Sequence, residues 1–325
     1  MKKRVITALT PSSDQLHIGN YFGAIKQMID LQNNDEYEVL MFISSLHAFT
    51  KVQDSVSLRK NISMFVKIYL ACGVDPERIF MFDQAPIAGH TQLTWILSCM
   101  THMWFMQRMH VYKDAAAKGT ADSLNVGMFC YPILMAADIL LYDINLVPVW
   151  QDQKQHIEYA RDIAEKFNRQ FGDVFVLPDS AIQDDVAVVP GIDGRKMSKS
   201  YDNFLWLLDT PAVLKKKVKM IVTDALPIEA SKDPDTCNVY NILKLFLSPE
   251  EDLVVRKRYT DWGLGYGVIK DELYIKVLEF VTPIQERFAS INDDDVTAML
   301  QRNTARANEI AQAKIKQVYE AVGLM

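Results

Sequence analysis

The sequence predicts an α/β protein, a doubly wound parallel sheet followed by a second, all-helical domain. Three observations carry that expectation. Short apolar runs alternate with amphipathic stretches through the first half of the chain. Strand-like runs stop at about Pro211. The 325 residues are 49% hydrophobic and 23% charged, the balance of a globular chain with a sizeable core.

Val5 to Leu9 reads as a buried strand, followed by the polar loop Thr10-Pro11-Ser12-Ser13-Asp14. A helix is expected to open near Gly19 and to carry Tyr21-Phe22-Gly23-Ala24-Ile25. Val39 to Ile43 and Ile79 to Phe82 read as the next strands, with amphipathic helices over 58–70 and 92–109 between and after them. A fourth strand is expected at Leu146 to Val149, and Lys154 to Phe171 repeats its apolar residues at helical spacing. Beyond Pro211, helices are expected at Leu214 to Ile221, Asn238 to Leu247, Pro249 to Asp261, Ile269 to Phe288 and Asp294 to Val322. The division implied is a Rossmann-like domain over 1–205, a helical domain over 206–290, and a C-terminal helix over 291–325 that can pack back on the first.

Met1-Lys2-Lys3-Arg4 resembles the start of a signal peptide, but the apolar run behind it is too short. No segment approaches the ~20 uncharged apolar residues that span a bilayer, so a cytoplasmic protein without membrane contact is expected. Cys72, Cys99, Cys130 and Cys237 form no Cys-x-x-Cys pair and no Cys/His cluster of zinc spacing, so free thiols are expected and no metal site. The net charge of −6 means that any RNA contact must use a local basic patch.

His17-Ile18-Gly19-Asn20 falls where a strand–loop–helix unit aims a helix N-terminus outward, a ready anion site. His17 can donate a ring N–H to a phosphate oxygen, and Gly19 lets a flat base or ribose approach the backbone. Alone, the motif is equally an incidental surface loop. Lys196-Met197-Ser198-Lys199-Ser200 follows Gly191-Ile192-Asp193-Gly194-Arg195, a Gly-rich segment expected to be mobile. Two lysines three apart, flanked by serines, suit a clamp that swings onto a polyphosphate; the plainer alternative is a solvated basic loop. In this order, the two motifs describe two halves of one ATP-activating site.

The pair resembles the signatures of the class I aminoacyl-tRNA synthetases, a His-Ile-Gly-His type motif and a Lys-Met-Ser-Lys-Ser loop. The second is matched letter for letter, and Asn20 replaces the final histidine of the first, a variant of the tryptophan and tyrosine branch. The resemblance implies in-line attack of an amino-acid carboxylate on the α-phosphate of ATP, with pyrophosphate leaving. Such a transfer needs positioning and charge neutralisation more than a covalent catalyst, so no nucleophilic Ser or Cys is expected. His17, Lys196 and Lys199 would handle the phosphates. The resemblance adds Lys113, which is equally an ordinary surface lysine. Magnesium would arrive on the nucleotide, with no dedicated protein cage.

Tyr131, Met135 and Asp138 are spaced i, i+4 and i+7, which puts all three on one helix face. Tyr131 and Met135 would form flat apolar walls around the carboxylate of Asp138. A buried carboxylate is costly unless paired, so either the protein or a ligand must supply a donor. The indole N–H of tryptophan can only donate and would serve; backbone of the protein is the alternative.

The run Tyr131 to Tyr142, then Leu146-Val147-Pro148-Val149 and Asp152-Gln153-Lys154-Gln155-His156, closely resembles the bacterial-type tryptophanyl-tRNA synthetases. The similarity covers most of the chain, including Pro11-Ser12, Leu46-His47-Ala48, Val222-Thr223-Asp224, Gly265-Tyr266-Gly267 and Pro283 to Arg287. Tyrosyl enzymes share the fold but typically have glutamine where this chain has Met135. The resemblance implies that Asp138 reads the indole N–H and that Tyr131 and Gln153 hold the α-ammonium and carboxylate end. Met135, His47, Val147 and Val149 would line the ring pocket. Thr10, Pro11, Ser12, Gly19, Asn20, Trp150, Gln151, Asp152 and Val188 would approach ATP, with Lys196, Met197, Ser198, Lys199 and Ser200 closing over it. A buried acceptor for the indole N–H would reject phenylalanine by about 10⁴-fold, without an editing domain. Two positions have plainer readings: His47 as a satisfied core histidine, and Asp152 with Gln155 as a capping pair.

The chain departs from the family pattern around the nucleotide. Trp150, Ala8 and Ser13 stand where the family has glycine, and Thr10 where it has glutamine. In the helical part, Lys215-Lys216-Lys217 with Lys219, and Arg256-Lys257-Arg258, offer basic patches for tRNA or ordinary solvated faces. The resemblance implies a helical domain that reads the anticodon, in a homodimer that binds a tryptophan-specific tRNA across both subunits. A tyrosine-specific form, an adenylate-only paralogue and a non-catalytic RNA-binding descendant remain the alternatives.

Overall fold

Val39, Met41 and Ile43 pack into one buried cluster while Leu40 and Phe42 pack into another, so the second strand is apolar on both faces and needs cover on both. The computed structural model describes residues 2–11, 13–149, 153–182, 189–261 and 263–325 and supplies that cover. Among the described residues the sheet comprises β1 (Lys3–Leu9), β2 (Tyr37–Ile43), β3 (Ile79–Asp83), β4 (Leu146–Val149) and β5 (Asp179–Ile182). All pairings are parallel, in the order β3-β2-β1-β4-β5. Chain order reverses between β1 and β4, and such a switch opens a crevice outside the C-terminal ends of the strands.

Four strands lie where the sequence places them. The fifth was not read, because a four-residue edge strand opening on Asp179-Ser180 has no apolar run; its pairing with β4 defines it. After β1 come the short α1 (Ile18–Asn20), a π turn at Tyr21–Ile25 and α2 (Lys26–Gln32). Helices α3 (Ser45–Phe49) and α4 (Ser55–Ala71) join β2 to β3.

The single helix expected over 92–109 is instead broken into α5 (Gly89–Met100) and α6 (Met103–Met106), with α7 (His110–Ala117) following. Thr101 ends α5: its hydroxyl takes the Leu97 carbonyl at 2.8 Å and meets the Tyr159 hydroxyl at 2.7 Å. That side-chain bond competes with the helical ladder, and a tertiary partner stabilises the break. Helix α8 (Val126–Leu140), capped by the Asn125 side chain, and α9 (Lys154–Phe171) flank β4.

Past residue 205 the described elements are helical: α10 (Pro211–Lys219), α11 (Asn238–Leu243), α12 (Pro249–Thr260), α13 (Tyr266–Ser290) and α14 (Asp293–Val322). Thr210 before Pro211 and the Ser248–Glu251 capping box start two of them. Leu214, Tyr240 and Leu273 join the cluster that covers one face of the sheet. Ala307 and Ala311 of α14 join the cluster on the other. Asn303 donates to the Met81 carbonyl at 2.9 Å, and Thr304 accepts from the Asp83 N–H at 3.0 Å, which ties α14 to β3. Among the described residues no helix is long and apolar enough to cross a membrane.

Candidate active site

Thr10 leaves the end of β1 at the switch point, and its hydroxyl lies 2.8 Å from that of Ser44, just past β2. Asn61 donates to the Pro11 carbonyl at 3.3 Å, so both ends of this stretch are held by neighbouring elements. His17 then caps α1. Its Nδ1 accepts from the Asn20 N–H at 3.2 Å, and the Asn20 side chain accepts from the His17 N–H at 3.0 Å. With Nδ1 taken as an acceptor, the proton of the neutral ring resides on Nε2, which leaves one N–H to donate. Burial, reinforced by the Lys199 charge, pushes the His17 pKa down to about 4, so the ring is neutral near pH 7.

A segment the sequence did not single out holds this motif. The Ile18 N–H donates to the Leu205 carbonyl and the Leu207 N–H to the Leu16 carbonyl, each at 2.9 Å. The bridge sets His17 opposite Trp206, with ring centroids 6.0 Å apart, and Phe204, in contact with Trp206 at 3.9 Å, stacks on His17 at 6.3 Å. Gly19 also has a packing part that the sequence did not show. A Cβ there would come within 3.0 Å of the His17 ring and 3.3 Å of the Met197 sulfur, so the glycine lets the two signatures touch.

The Gly-rich segment is tied as a hairpin. The Gly191 N–H donates to the Arg195 carbonyl at 2.7 Å, and Met197 N–H to the Val189 carbonyl at 2.8 Å. Asn203 is its buried hub, only 1% exposed. Its Nδ2 donates to Asp193 at 2.6 Å and to the Lys196 carbonyl at 3.1 Å, while its Oδ1 accepts from the Ser198 N–H at 2.8 Å. A Cβ on Gly191 would fall 2.3 Å from the Asn203 side chain, so glycine is required by close approach. The ammonium of Lys199 donates to the Ser13 hydroxyl and lies 5.8 Å from the ring centroids of both Phe65 and Trp206. Burial holds its pKa below the usual lysine range, against the pull of Asp14. Lys196 is exposed, and Lys113 is exposed on α7.

The second cluster lies on α8. Tyr131, Met135 and Asp138 share the helix as expected, but Asp138 is not a lone carboxylate. Its Oδ2 accepts from His47 Nε2 at 2.8 Å, and its Oδ1 from Gln84 Nε2 and His90 Nδ1, each at 2.7 Å. Burial raises its pKa and the two histidine bonds lower it, leaving it at about 2 and the group ionised. The partners are side chains, not the backbone alternative. The rings of His47 and Tyr131 meet edge to face at 6.1 Å, and the Tyr131 hydroxyl lies 3.2 Å from His156 Nε2. Val147 and Val149 are buried in β4, Met135 packs against the same cluster, and Gln153 stands at the start of α9.

Gln84, His90, Asn203, Phe204 and Trp206 were missed from the sequence. Gln84 carried a usable signal, because it follows β3 at the edge where such sheets place ligand groups. The others are scattered, with no spacing that marks them. Ser12, Trp150, Gln151, Asp152 and Val188 lie outside the described residues, as does the side chain of Ser200. Among the described residues no group of three or more His, Cys, Asp or Glu is placed to hold a metal ion. Much of the basic surface is already paired. Lys217 meets Asp209 at 2.7 Å, Lys219 pairs with Asp271, Arg256 with Asp235, and Arg258 with Glu272.

The family described as tRNA synthetases class I (W and Y) matches residues 2–282. A tryptophan–tRNA ligase of Campylobacter jejuni is 42% identical over 323 residues, 99% of this chain and 100% of that protein. One from Fusobacterium nucleatum is 43% identical over 326 residues, 99% of this chain and 98% of that one. The crystal structure of the C. jejuni tryptophanyl-tRNA synthetase complexed with ADP and tryptophan superposes with a TM-score of 0.90 over 98% of this chain and 99% of that one. That of Mycoplasma pneumoniae, 28% identical, gives 0.82 over 100% and 99%.

Proposed function

The chain belongs to the class I tRNA synthetases of the W and Y family, and on that premise we propose how its residues divide the reaction. The enzyme activates tryptophan with ATP and transfers it to tRNA. A carboxylate oxygen of tryptophan attacks the α-phosphorus of ATP, and the bond to the bridging oxygen breaks. Pyrophosphate leaves with the electron pair. A ribose hydroxyl at the tRNA terminus then attacks the acyl carbon of the adenylate, and AMP leaves.

His17 donates from Nε2 to the phosphates, and its neutrality keeps that donor available without adding a charge beside Lys199. Lys199, with the exposed Lys196 and Lys113 as partners, offsets the charge that develops on pyrophosphate. Magnesium arrives on the nucleotide. Thr10, Pro11, Ser12, Gly19, Asn20, Trp150, Gln151, Asp152, Val188 and the Lys196 to Ser200 segment approach ATP. Tyr131 and Gln153 hold the amino-acid end of tryptophan, while His47, Met135, Val147 and Val149 enclose its ring. One observation carries the substrate reading: Asp138 is ionised, 1% exposed, and aligned on α8 with Met135 and Tyr131. An ionised acceptor with a lone-pair position still open suits a ring N–H, and phenylalanine would leave that buried position unfilled.

We divide the chain into a Rossmann-like domain over 1–205, a helical domain over 206–290 and a C-terminal helix over 291–325. Lys215, Lys216 and Lys257 are the basic residues of the helical part we assign to tRNA phosphates. Trp95, Met103 and Trp104 are 70%, 64% and 55% exposed on α5 and α6, an apolar surface that a second copy would cover as a homodimer. Four free cysteines suit a reducing compartment, and we place the enzyme in the cytoplasm, where its substrates are.

The test is exchange of labelled pyrophosphate into ATP with tryptophan, tyrosine and phenylalanine side by side. Tryptophan alone should support it, and exchange with tyrosine but not tryptophan would overturn the assignment. Charging of tRNA by the same preparation separates a ligase from an adenylate-only enzyme.

A further inference from the structure

Asp138 ends a buried hydrogen-bond chain that no step of the reaction requires. Gln84 and His90 are both fully buried and both donate to Oδ1 at 2.7 Å. The other nitrogen of His90, Nε2, lies 2.9 Å from the hydroxyl of Tyr142, itself fully buried on the far side. An ionised carboxylate only accepts, so His90 Nδ1 carries a proton. Its Nε2 shares the second hydrogen bond with the Tyr142 hydroxyl, which closes the chain.

A carboxylate offers about four lone-pair positions. Two on Oδ1 are filled by Gln84 and His90, and one on Oδ2 by His47, so the open position is on Oδ2. Of the three donors only His47 reaches toward open space, with its side chain 15% exposed. We infer that Oδ2 alone reads the substrate N–H, and that His90 and Tyr142 are positioning residues that close Oδ1 and lock the carboxylate from behind. Specificity for a ring bearing an N–H, over a ring of the same shape without one, is then set partly by the Tyr142 hydroxyl, which touches no substrate. This inference rests on the reading that Asp138 faces the indole.

The test compares tryptophan with β-(benzo[b]thiophen-3-yl)alanine, in which sulfur replaces the indole N–H, by pyrophosphate exchange in wild type, Tyr142→Phe, His90→Gln and Asp138→Asn. The ratio of kcat/KM for the two amino acids is the readout. It is indifferent to how much enzyme is folded, so partial destabilisation of a variant cancels. The ratio should fall about tenfold in Tyr142→Phe and His90→Gln, through the KM for tryptophan, as one buried hydrogen bond stops placing the acceptor. The KM for ATP should stay unchanged. A ratio within twofold of wild type in both variants, while Asp138→Asn collapses it, overturns the inference alone. An unchanged ratio in Asp138→Asn overturns the underlying reading of Asp138 as well.

Discussion

Replacing Asn203 with alanine should disable the Lys196 to Ser200 segment while leaving the fold standing. Asn203 makes three side-chain hydrogen bonds, to Asp193, the Lys196 carbonyl and the Ser198 N–H. Each is worth about 1 kcal/mol net, and at 1% exposure water cannot replace them readily. The loss of about 3 kcal/mol reduces the population of the ordered hairpin by about a hundredfold, since each 1.4 kcal/mol is a factor of ten. The bonds join residue 203 to its own hairpin, so little of the loss reaches the core, and Tm should fall by less than about 6 °C. Pyrophosphate exchange at saturating tryptophan with varied ATP should show kcat/KM for ATP lowered about 10- to 100-fold. Once the hairpin is disordered, Lys199 no longer has a fixed place. Lys199→Ala should therefore cost much less in the Asn203→Ala background than in wild type. Exchange within twofold of wild type, or strictly additive losses in the double variant, would refute the reasoning.

Two further predictions come from the first motif. The His17 pKa is near 4 in the folded chain against 6.5 unfolded, so the unfolded chain binds more protons between those values. The stability from this group is complete above about pH 6.5 and is lost as pH falls toward 4, reaching about 2–3 kcal/mol at pH 4.5. Urea unfolding of wild type and His17→Gln at pH 7.5 and 4.5 measures it; a difference between the two proteins that does not change with pH would contradict the assignment. Gly19→Ala places a methyl 3.0 Å from the His17 ring and 3.3 Å from the Met197 sulfur. That overpacking should cost about 1–3 kcal/mol and pull the two signatures apart. A variant with wild-type Tm and exchange rate would show that they need not touch.

Several features were open to a reader of the sequence because they depend on neighbours along the chain. The four longer apolar runs became strands, since a segment buried on both faces has little choice of residue. Lys154 to Phe171 became a helix with those bounds because its apolar stripe carries the helical period. Tyr131, Met135 and Asp138 share a face for the same reason. The break after Met100 was not legible, because it depends on a hydroxyl pair between Thr101 and Tyr159, far apart in sequence.

By itself, then, the sequence determined the class of chemistry: two phosphate-handling signatures in order, on a parallel sheet, with a carboxylate placed to read a ring. Local spacing carries that information, because motifs and periodic stripes are short-range properties. Tertiary structure alone decided what holds those parts. Asp138 meets Gln84, His47 and His90 from two other segments, and His17 is clamped by Phe204 to Leu207 from beyond the second signature. The reason is physical: a buried charge or imidazole must be satisfied by whatever group the fold brings to it, and that group's place in the chain is unconstrained.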